Sequence, residues 1–390
     1  MTTNQLMQES QSCVMNTYGR FPLAIQRGKG AKCWDFEGKE YIDFTSGIGV
    51  NALGFCHEGW AAAVIGQIST LTHTSNLYYT APGVQVAKKL TESTGLSKMF
   101  FANSGAEANE GAVKLARKYS RDKYGEGRYE ILTLVNSFHG RTVTTLSATG
   151  QEVFHRNFFP FTEGFSHAEA NNISDVKSKV TEKTCAILLE MVQGEGGVLP
   201  LEEEFVRQVA ALCKEKDLLL MVDEVQTGIG RTGKLFAYQH YGISPQVVTV
   251  AKGLGGGLPI GGFLVDESCQ NVLGPGDHAT TFGMNPVICA GASYLLDQVN
   301  TPAFLKDVAE KGEYLREKLA ALPGVTQVRG KGLMLGVEIP GKPAANVVKA
   351  GIEKGLLLLT AKTAVRLLPP LNITYEEIDQ GLAILNEILS

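Results

Sequence analysis

The stretch DLLLMVDE, residues 217–224, decides the fold class of this chain. Its middle is a short, continuous apolar run with no polar residue between the apolar ones. A strand with one face in water alternates polar and apolar residues, whereas an unbroken run indicates a strand buried on both faces. Such strands are typical of parallel sheets covered by helices on each side. The acidic pair Asp223–Glu224 follows directly, at the carboxyl end of the predicted strand.

Three similar apolar runs lie on either side of this stretch: ILTLV (131–135), AILLE (186–190) and VVTV (247–250). Between them, FVRQVAALCKEKD (205–217) carries apolar residues at positions 205, 206, 209, 212 and 213. That spacing predicts a helix with one buried face. Strands that alternate with helices predict an α/β core.

The pattern changes after about residue 300, where a second unit of helices and strands is predicted. Thr301-Pro302 has the form of an N-cap followed by a first-turn proline. The run LMLGVEI (333–339) predicts a strand, and Thr374 and Glu377 have the spacing of a capping box. These features indicate a smaller α+β domain at the C-terminal end.

Near the N-terminus, WDFEGKEYIDF (34–44) predicts a hairpin of two short strands around a glycine turn. We expect this hairpin to pair with the smaller domain. The expected division is therefore an N-terminal segment, 1–48, that joins the small domain, a large domain, 49–295, and a C-terminal small domain, 296–390.

Composition and charge exclude several classes of protein. The 390 residues are 44% hydrophobic and 19% charged, which is ordinary for a folded globular protein. Lysine and arginine total 36 against 40 acidic residues, a net charge of −4, so nothing favours a nucleic acid or an anionic membrane as partner.

The cysteines and the absence of long apolar runs point to the cytoplasm. The chain has seven cysteines, an odd number with no CxxC pair, which argues against a disulfide framework and against a zinc site. The first thirty residues lack the apolar segment of a secretory signal. No apolar run approaches the roughly twenty residues that span a membrane. We expect a cytoplasmic protein without a metal centre.

Polar and aromatic residues of unusual kinds follow the predicted strands at their carboxyl ends, where open parallel sheets bind ligands. Each has an ordinary alternative as a solvated charge, a helix cap, a surface ion pair or a plain turn. The prediction rests on their convergence at one edge of one sheet. They are Phe138, His139, Arg141, Glu190, Glu195, Asp223, Glu224 and Lys252.

The segment FFANSGAEANEGAVKLARKY (100–119) adds a predicted helix that begins after Ser104, a natural N-cap. Gly105 permits close approach of another group to the backbone, and Ala106 continues the first turn. The free N–H groups and positive dipole end of such a turn can hold a phosphate, although an ordinary capped helix has the same pattern. The spacing matches neither a Walker A loop nor GxGxxG.

A phosphate cup, an aspartate at a strand end, an aromatic ring and a lysine at a glycine turn together fit one cofactor, pyridoxal 5′-phosphate. Its aldehyde reacts with a lysine, its pyridine nitrogen requires an acid partner, and its phosphate requires an anion site. The glycine turn in question is TVAKGLGGGLPIGG (249–262), which contains Lys252.

The sequence resembles the class III (ω-amino) aminotransferases, which belong to fold type I of the pyridoxal phosphate enzymes, and within them the acetylornithine aminotransferase branch. The resemblance covers nearly the whole chain. It is carried, in order, by MNTYGRFPLAIQRGKG, NSGAEANEGAVKLAR, SFHGRTVTTLSATG, VQGEGGV, VDEVQTGIGRTGK, AKGLGGGLPIGG, TTFGMNP, RGKGLMLGVEI and VRLLPPL. It implies a large domain with a mainly parallel seven-stranded sheet and a smaller α+β domain.

The resemblance implies the roles of the cofactor residues. Lys252 forms the Schiff base and moves the proton, Asp223 pairs with the pyridinium nitrogen, and Gln226 bonds near the phenolic oxygen. Phe138 and Val225 cover the two faces of the ring. The phosphate is held by Ser104, Gly105 and Ala106 and, from the neighbouring subunit of a homodimer, by Thr281.

The same resemblance implies the substrate residues. Arg366 binds the α-carboxylate of glutamate or 2-oxoglutarate, and Arg141 binds the distal carboxylate or the α-carboxylate of the ω-amino donor. Glu195 pairs with Arg366 when the donor binds and moves away for the dicarboxylate. Thr280 is placed among the substrate-binding residues. A bidentate arginine suits a carboxylate better than lysine does.

We therefore expect transfer of the terminal amino group of N2-acetyl-L-ornithine to 2-oxoglutarate, a step of arginine biosynthesis. The alternatives in the same class are succinyl-diaminopimelate, succinylornithine, ornithine and 4-aminobutyrate. Ornithine enzymes of this class tend to carry a tyrosine where the aligned residue here is Ile48, which favours an acylated donor. The chain departs from the usual family pattern at Phe55, Glu58, Met191 and Met284.

Two other classes of protein are alternatives to the aminotransferase. A PLP-binding regulator would carry a helix-turn-helix domain, and only a short segment precedes MNTYGRFPL. A nicotinamide dehydrogenase would use the glycine-rich loops for a dinucleotide, but their spacing is wrong for that motif.

Overall fold

The computed structural model describes residues 2–390, which form seventeen strands and twelve α-helices. The strands are β1 Ile25–Lys29, β2 Lys32–Asp35, β3 Glu40–Asp43, β4 Lys98–Ala102, β5 Glu130–Leu134, β6 Phe165–Ala168, β7 Thr184–Leu189, β8 Val192–Gln193, β9 Leu199–Pro200, β10 Leu219–Asp223, β11 Val247–Val250, β12 Gly261–Val265, β13 Gln327–Lys331, β14 Met334–Glu338, β15 Leu356–Leu357, β16 Leu359–Ala361 and β17 Ala364–Leu367. The helices are α1 Thr3–Cys13, α2 Ser46–Gly49, α3 Glu58–Ile68, α4 Ala81–Thr94, α5 Gly105–Tyr124, α6 Val143–Ala148, α7 Ile173–Lys179, α8 Glu203–Lys216, α9 Pro286–Val299, α10 Pro302–Ala320, α11 Ala344–Lys354 and α12 Tyr375–Leu389.

The largest sheet has seven strands in the order β4-β12-β11-β10-β7-β5-β6. Strand β10 pairs in parallel with β7 and β11, and β5 pairs in parallel with β7 and β6. Strand β12 is antiparallel to both of its neighbours. The four apolar runs of the sequence all lie in this sheet, and the predicted α/β fold with a mainly parallel seven-stranded sheet is confirmed.

The unbroken apolar character of β10 follows from the helices on both faces of the sheet. Leu219 and Met221 pack in one apolar cluster with residues of α5, whereas Leu220 and Val222 belong to the cluster on the other face, which includes α8. Successive side chains of a strand point to opposite faces, so each one meets a helix.

Helix α8 confirms the amphipathic pattern predicted for residues 205–217. It begins two residues earlier, at Glu203, and ends at Lys216. Its buried residues are the five that the spacing selected, namely Phe205, Val206, Val209, Leu212 and Cys213.

The C-terminal part contains a four-stranded sheet in the order β13-β14-β17-β16, with helices α10 and α11 against it, whereas α12 contacts these two helices and strands β15 and β3. Helix α10 begins as predicted, because the Thr301 side chain accepts a hydrogen bond from the backbone N–H of Phe304. The predicted capping box of Thr374 and Glu377 opens α12. The strand predicted in LMLGVEI is β14.

The predicted N-terminal hairpin consists of β2 and β3, which pair antiparallel. The C-terminal strand β15 pairs with β3 in parallel, with Leu356 opposite Ile42. This pairing supports our proposal that residues 1–48 join the C-terminal domain. A boundary between residues 295 and 296 falls inside helix α9, so we propose the break after it, at Asn300.

Helix α2 is a single turn with an uncommon backbone. The φ angles of Ser46, Gly47, Ile48 and Gly49 are +41°, +62°, +65° and +76°. A positive φ is uncommon for a residue with a side chain and strained for a β-branched one. Val50, directly after this turn, lines the candidate site described below.

All seven cysteines, which lie within residues 2–390, are free thiols. In the same residues, none of the helices combines the length and apolar character that a membrane crossing requires.

Candidate active site

A cavity of about 480 Å³ lies at the carboxyl ends of four neighbouring strands of the large sheet. Each of these strands is followed by at least one lining residue: Phe138, His139 and Arg141 after β5, Glu190 after β7, Asp223 with Val225 and Gln226 at the end of β10, and Lys252 after β11. Six of the eight residues expected at this sheet edge therefore line the cavity, whereas Glu195 and Glu224 do not. The convergence of the six follows from the parallel order of β5, β7, β10 and β11.

The N-terminus of helix α5 forms one wall of the cavity. Ser104 is the N-cap, and its hydroxyl accepts a hydrogen bond from the N–H of Glu107. Gly105 and Ala106 form the first turn, where backbone N–H groups have no partner within the helix. A Cβ at Gly105 would lie 2.6 Å from Cγ1 of Val225, so any larger residue would force the turn or the valine to shift. The result is a cradle for an anion at a helix N-terminus.

Asp223 is a carboxylate held rigidly below the cavity, with only 3% of its surface exposed. Its Oδ2 accepts hydrogen bonds from His139 Nδ1 and from Asn109 Nδ2, each at 2.8 Å, and its Oδ1 accepts one from the Val225 N–H. Burial disfavours protonation of His139, but the hydrogen bond to Asp223 and its charge outweigh burial and raise the pKa of this imidazole. A fixed carboxylate of this kind can pair with a protonated ring nitrogen.

Asn109 was missed in the sequence. It belongs to α5, and its amide also donates to the backbone carbonyl of His139, at 2.8 Å. The available signal was a polar residue on the buried face of a helix, between Ala108 and Ala112. That signal is weak because many such residues only satisfy neighbouring backbone groups.

Lys252 is the first residue of a short 3-10 turn, Lys252–Gly255, that follows strand β11, and its φ angle is +43°. Burial lowers the pKa of its amine, and the nearby carboxylates of Glu195 and Asp223 only partly oppose that effect. A lowered pKa leaves more of the amine unprotonated and nucleophilic near neutral pH. A backbone in the left-handed region is uncommon for lysine and is often found at functional sites.

Glu190 is a second acidic residue of the cavity, with 6% of its surface exposed. Its Oε2 accepts a hydrogen bond from the N–H of Phe138 at 3.0 Å. Burial, together with the neighbouring charge of Asp223 and against the opposing charge of His139, raises the pKa of Glu190 to about 8. The sequence placed Glu190 at the strand edge without a role.

Arg141 presents an unpaired guanidinium at the cavity. Its Cζ lies 5.5 Å from the ring centroid of Phe138 and 4.5 Å from that of Phe154. Within residues 2–390 this guanidinium has no hydrogen-bond or ion-pair partner, so its donors are available to a carboxylate.

Arg366, on strand β17, is buried and paired. Its Nη1 lies 2.7 Å from Glu195 Oε1 and 3.3 Å from Gln226 Oε1. Burial alone would raise the pKa of Glu195, but the charge and hydrogen bond of Arg366 outweigh it and lower that pKa. The loop of Glu195 is also tied to the C-terminal domain, because Arg329 Nε donates to the Gly197 carbonyl at 2.6 Å.

Thr280 and Thr281 do not line this cavity. The Thr280 hydroxyl accepts hydrogen bonds from Asn103 Nδ2 at 3.0 Å and from the Gly283 N–H at 3.1 Å, so it stabilises a turn. Both threonines border a separate surface depression together with Ser75 and Leu77. Within one chain, the structure therefore leaves the two threonines outside the candidate site.

The residues that depart from the family pattern also lie outside the cavity lining. Met191 is fully buried in the core, and Met284 fills the space over Gly83 on helix α4. Phe55 packs against Gly28 at the N-terminal sheet, and Glu58 opens helix α3.

The lining fits pyridoxal 5′-phosphate in three respects. The α5 cradle accepts a phosphate without room for a Cβ at Gly105, Asp223 is a fixed partner for a ring nitrogen, and Lys252 is an amine of lowered pKa for the aldehyde. Phe138 and Val225 supply apolar surface between these groups.

Comparisons with known proteins agree with this fit. Residues 13–389 match the family described as aminotransferase class-III. The acetylornithine aminotransferase of Haemophilus ducreyi is 52% identical over 100% of both chains, and that of Aquifex aeolicus is 48% identical over 96% of this chain and 99% of its own.

Solved structures show the same relationship. The ornithine aminotransferase of Toxoplasma gondii ME49 superposes with a TM-score of 0.95 at 30% identity, covering 100% of this chain and 95% of that one. The acetylornithine aminotransferase of Elizabethkingia anophelis gives a TM-score of 0.88 at 33% identity, covering 100% and 99%. This chain therefore belongs to the class III aminotransferases and is an enzyme that depends on pyridoxal phosphate.

Proposed function

We propose that this enzyme is an acetylornithine aminotransferase. It would transfer the terminal amino group of N2-acetyl-L-ornithine to 2-oxoglutarate and so form N-acetyl-L-glutamate 5-semialdehyde and L-glutamate, a step of arginine biosynthesis. Relatives of that name are 48–52% identical to this chain over at least 96% of it. The structural observation that carries the proposal is the pair of arginines at the site, one unpaired and one covered by a carboxylate.

Each of the residues at the site would have a separate role in the reaction. Pyridoxal phosphate supplies, when bound, an aldehyde that condenses with amines and a pyridinium ring that accepts electrons. Lys252 would bind the aldehyde and then move a proton at the substrate carbon, a task that its lowered pKa supports. Asp223 would keep the ring nitrogen protonated, and Ser104, Gly105 and Ala106 would hold the phosphate. Phe138, Val225 and Gln226 would position the ring.

The two arginines would allow one pocket to accept two substrates of different charge. Arg141 has free donors, so it can bind the α-carboxylate of acetylornithine or the distal carboxylate of 2-oxoglutarate. Glu195 lies 2.7 Å from Arg366 and neutralises its charge. The neutral pair would suit the part of acetylornithine that carries no carboxylate. Movement of Glu195 would free Arg366 for the α-carboxylate of the second.

Ornithine δ-amino transfer is the second candidate function, and the TM-score of 0.95 with the Toxoplasma gondii enzyme favours it. Ile48 argues against free ornithine as the donor. It is 40% exposed and lies in the turn of positive φ angles that precedes Val50. Its apolar side chain offers no hydrogen-bond partner for a free α-amino group. Succinylornithine, succinyl-diaminopimelate and 4-aminobutyrate remain donors to be compared.

We further propose that the enzyme acts as a homodimer in the cytoplasm, with no nucleic acid or membrane partner. Thr281 is exposed and does not line the cavity of its own chain, as is expected of a residue that serves the neighbouring subunit. Large apolar side chains lie exposed near it, including Leu77 at 86%, Tyr79 at 100% and Phe282 at 59%. Exposed apolar patches of this kind mark protein interfaces.

A panel of donors tests the proposed function. We would measure glutamate formation from 2-oxoglutarate with N-acetylornithine, succinylornithine, succinyl-diaminopimelate, ornithine and 4-aminobutyrate, using the Lys252→Ala variant as the blank. N-acetylornithine should give the highest kcat/KM. A higher value with free ornithine or 4-aminobutyrate would contradict the proposal.

A further inference from the structure

The side chain of Arg141 is exposed and is held in place by aromatic rings alone. Its guanidinium carbon lies 4.5 Å from the Phe154 centroid and 5.5 Å from the Phe138 centroid. In the part of the chain that the structure describes, no carboxylate or carbonyl fixes its direction. A long, exposed arginine loses much rotamer freedom when it binds a ligand, so whatever orients it beforehand improves binding.

Phe154 is the nearer of the two rings and has no other function at the site. Phe138 lines the cavity itself, whereas Phe154 lies outside the lining. The two rings meet edge to face, with centroids 5.9 Å apart and an interplanar angle of 71°. Phe154 therefore contacts both Arg141 and the ring beside it.

The backbone around Phe154 is tied to the strand-end loop that carries Phe138. The short 3-10 turn Glu152–Phe154 begins after Gln151, whose Nε2 donates to the Ser137 carbonyl at 3.0 Å. The N–H of Gly150, one residue earlier, donates to the Ser137 hydroxyl at 3.0 Å. These two hydrogen bonds to Ser137 therefore connect the segment that carries Phe154 to the loop that carries Phe138.

We propose that Phe154 is a positioning residue that orients Arg141 toward the substrate carboxylate, and so contributes to the preference for a dicarboxylate acceptor. The proposal rests on the function proposed above. The flat face of an aromatic ring attracts a guanidinium without using its N–H donors. All the donors of Arg141 therefore remain free for the carboxylate.

The test compares two acceptors that differ only in the distal carboxylate, 2-oxoglutarate and 2-oxopentanoate. For Phe154→Leu we expect KM for 2-oxoglutarate to rise about three- to fivefold, the size of a cation–π contact at an exposed site. Turnover at saturation and the absorbance spectrum of the bound cofactor should stay unchanged. The kcat/KM for 2-oxopentanoate should also stay unchanged, because Arg141 has no carboxylate to bind in it.

Two further variants separate positioning from general damage. Phe154→Tyr keeps the ring and should restore the wild-type KM for 2-oxoglutarate. In an Arg141→Ala background, Phe154→Leu should have no additional effect, because the residue acts through Arg141.

Three outcomes would overturn the inference. They are an unchanged KM in Phe154→Leu, an equal loss with both acceptors, and a full additional loss in the Arg141→Ala background. A wild-type enzyme without preference for 2-oxoglutarate over 2-oxopentanoate would instead contradict the proposed function, and this inference with it.

Discussion

Lys252 and Asp223 differ from ordinary surface lysines and aspartates, the first in its backbone conformation and burial and the second in its hydrogen bonding. Lys252 has a φ angle of +43° and an amine whose pKa is lowered by burial. Asp223 has both carboxylate oxygens occupied by fixed donors. Strain and desolvation of this kind persist only where the surrounding fold stabilises them, and they are concentrated at functional sites.

Glu190 makes the stability of the enzyme without cofactor depend on pH. Burial raises its pKa in the folded state to about 8, whereas in the unfolded chain it titrates near its ordinary value. Between those two values the unfolded state releases a proton that the folded state keeps. The unfolded state is then favoured as the pH rises, so this residue lowers stability progressively up to about pH 8.

The Glu190→Gln substitution should remove that contribution. Glutamine is neutral and close in shape to the protonated acid, so the variant and the wild type should have similar Tm values near pH 4, below the ordinary pKa of glutamate. The variant should become increasingly more stable than the wild type as the pH approaches 8. Thermal unfolding of the cofactor-free proteins across this range checks the prediction, and a Tm difference that does not change with pH would contradict it.

At the scale of elements, the N-terminus of helix α5 combines two properties in the same few residues. Its first turn supplies free N–H groups, and Gly105 lets Val225 pack against that turn. The helix runs to Tyr124, five residues beyond the predicted end, where Gly125 with a φ of +80° forms the C-cap. Because the far side of α5 packs on strands β11 and β12, the cradle is held rigidly beside Lys252.

Gly105→Ala should weaken cofactor binding more than folding. The added Cβ would lie 2.6 Å from Val225 Cγ1, so the turn or the valine must shift by a fraction of an ångström within the site. We expect about a tenfold weaker affinity for pyridoxal phosphate, the scale of a small overpacking penalty. Fluorescence titration of the cofactor-free protein measures it.

Gly66→Ala is the matched control for this helix glycine. Gly66 is exposed in α3, and nothing lies within 4 Å of a Cβ built there. Its substitution should leave the affinity for pyridoxal phosphate unchanged and raise helix stability slightly. Equal losses of affinity in the two variants would show that the contact with Val225 is not the cause.

At the scale of the whole molecule, Arg231 joins three parts of the chain. Only 1% of its surface is exposed. Its Nη1 donates to the carbonyls of Leu333 and Pro369, at 2.9 and 2.5 Å, and its Nη2 lies 3.4 Å from the Ser46 hydroxyl. One guanidinium in the middle of the chain thus contacts both an N-terminal and a C-terminal stretch of it.

Arg231→Met should therefore destabilise the protein by about 2–4 kcal/mol, because it leaves buried carbonyl groups without donors. Arg207→Met is the control, since Arg207 is exposed and pairs only with Glu203 one helical turn away. That control should cost less than about 1 kcal/mol. Urea unfolding of the cofactor-free proteins gives both values, and similar losses for the two variants would contradict this role of Arg231.

The proposed dimer makes a prediction about where each active site obtains its residues. In a hybrid of Lys252→Ala and Thr281→Ala subunits, a threonine that acts across the interface gives one site with both wild-type residues. We expect that hybrid to bind pyridoxal phosphate at this site with wild-type affinity and to regain activity. If Thr281 acts within its own chain, no hybrid site is intact and activity stays at the level of the parent variants.

The sequence by itself was enough to predict whatever depends on near neighbours along the chain. The unbroken apolar runs marked the inner strands of the sheet, and the spacing at 205–213 selected the buried face of α8. The caps at Thr301 and Thr374 were also predicted, because a cap involves residues only three positions apart. Lys252 and Asp223 could be singled out because parallel strands bring their carboxyl ends to one edge.

Only the tertiary structure decided the partners of those residues. The contacts of Asp223 with Asn109, of Arg141 with Phe154 and of Arg231 with Ser46 join residues that the sequence treats as unrelated. The pairing of β15 with β3 is of the same kind. Such contacts depend on how segments beyond the reach of one helix or strand fold against each other, and local periodicity carries no information about that. The candidate functional groups could therefore be predicted from the sequence. The residues that orient them and shift their pKa values depend on packing, so only the tertiary structure identifies them.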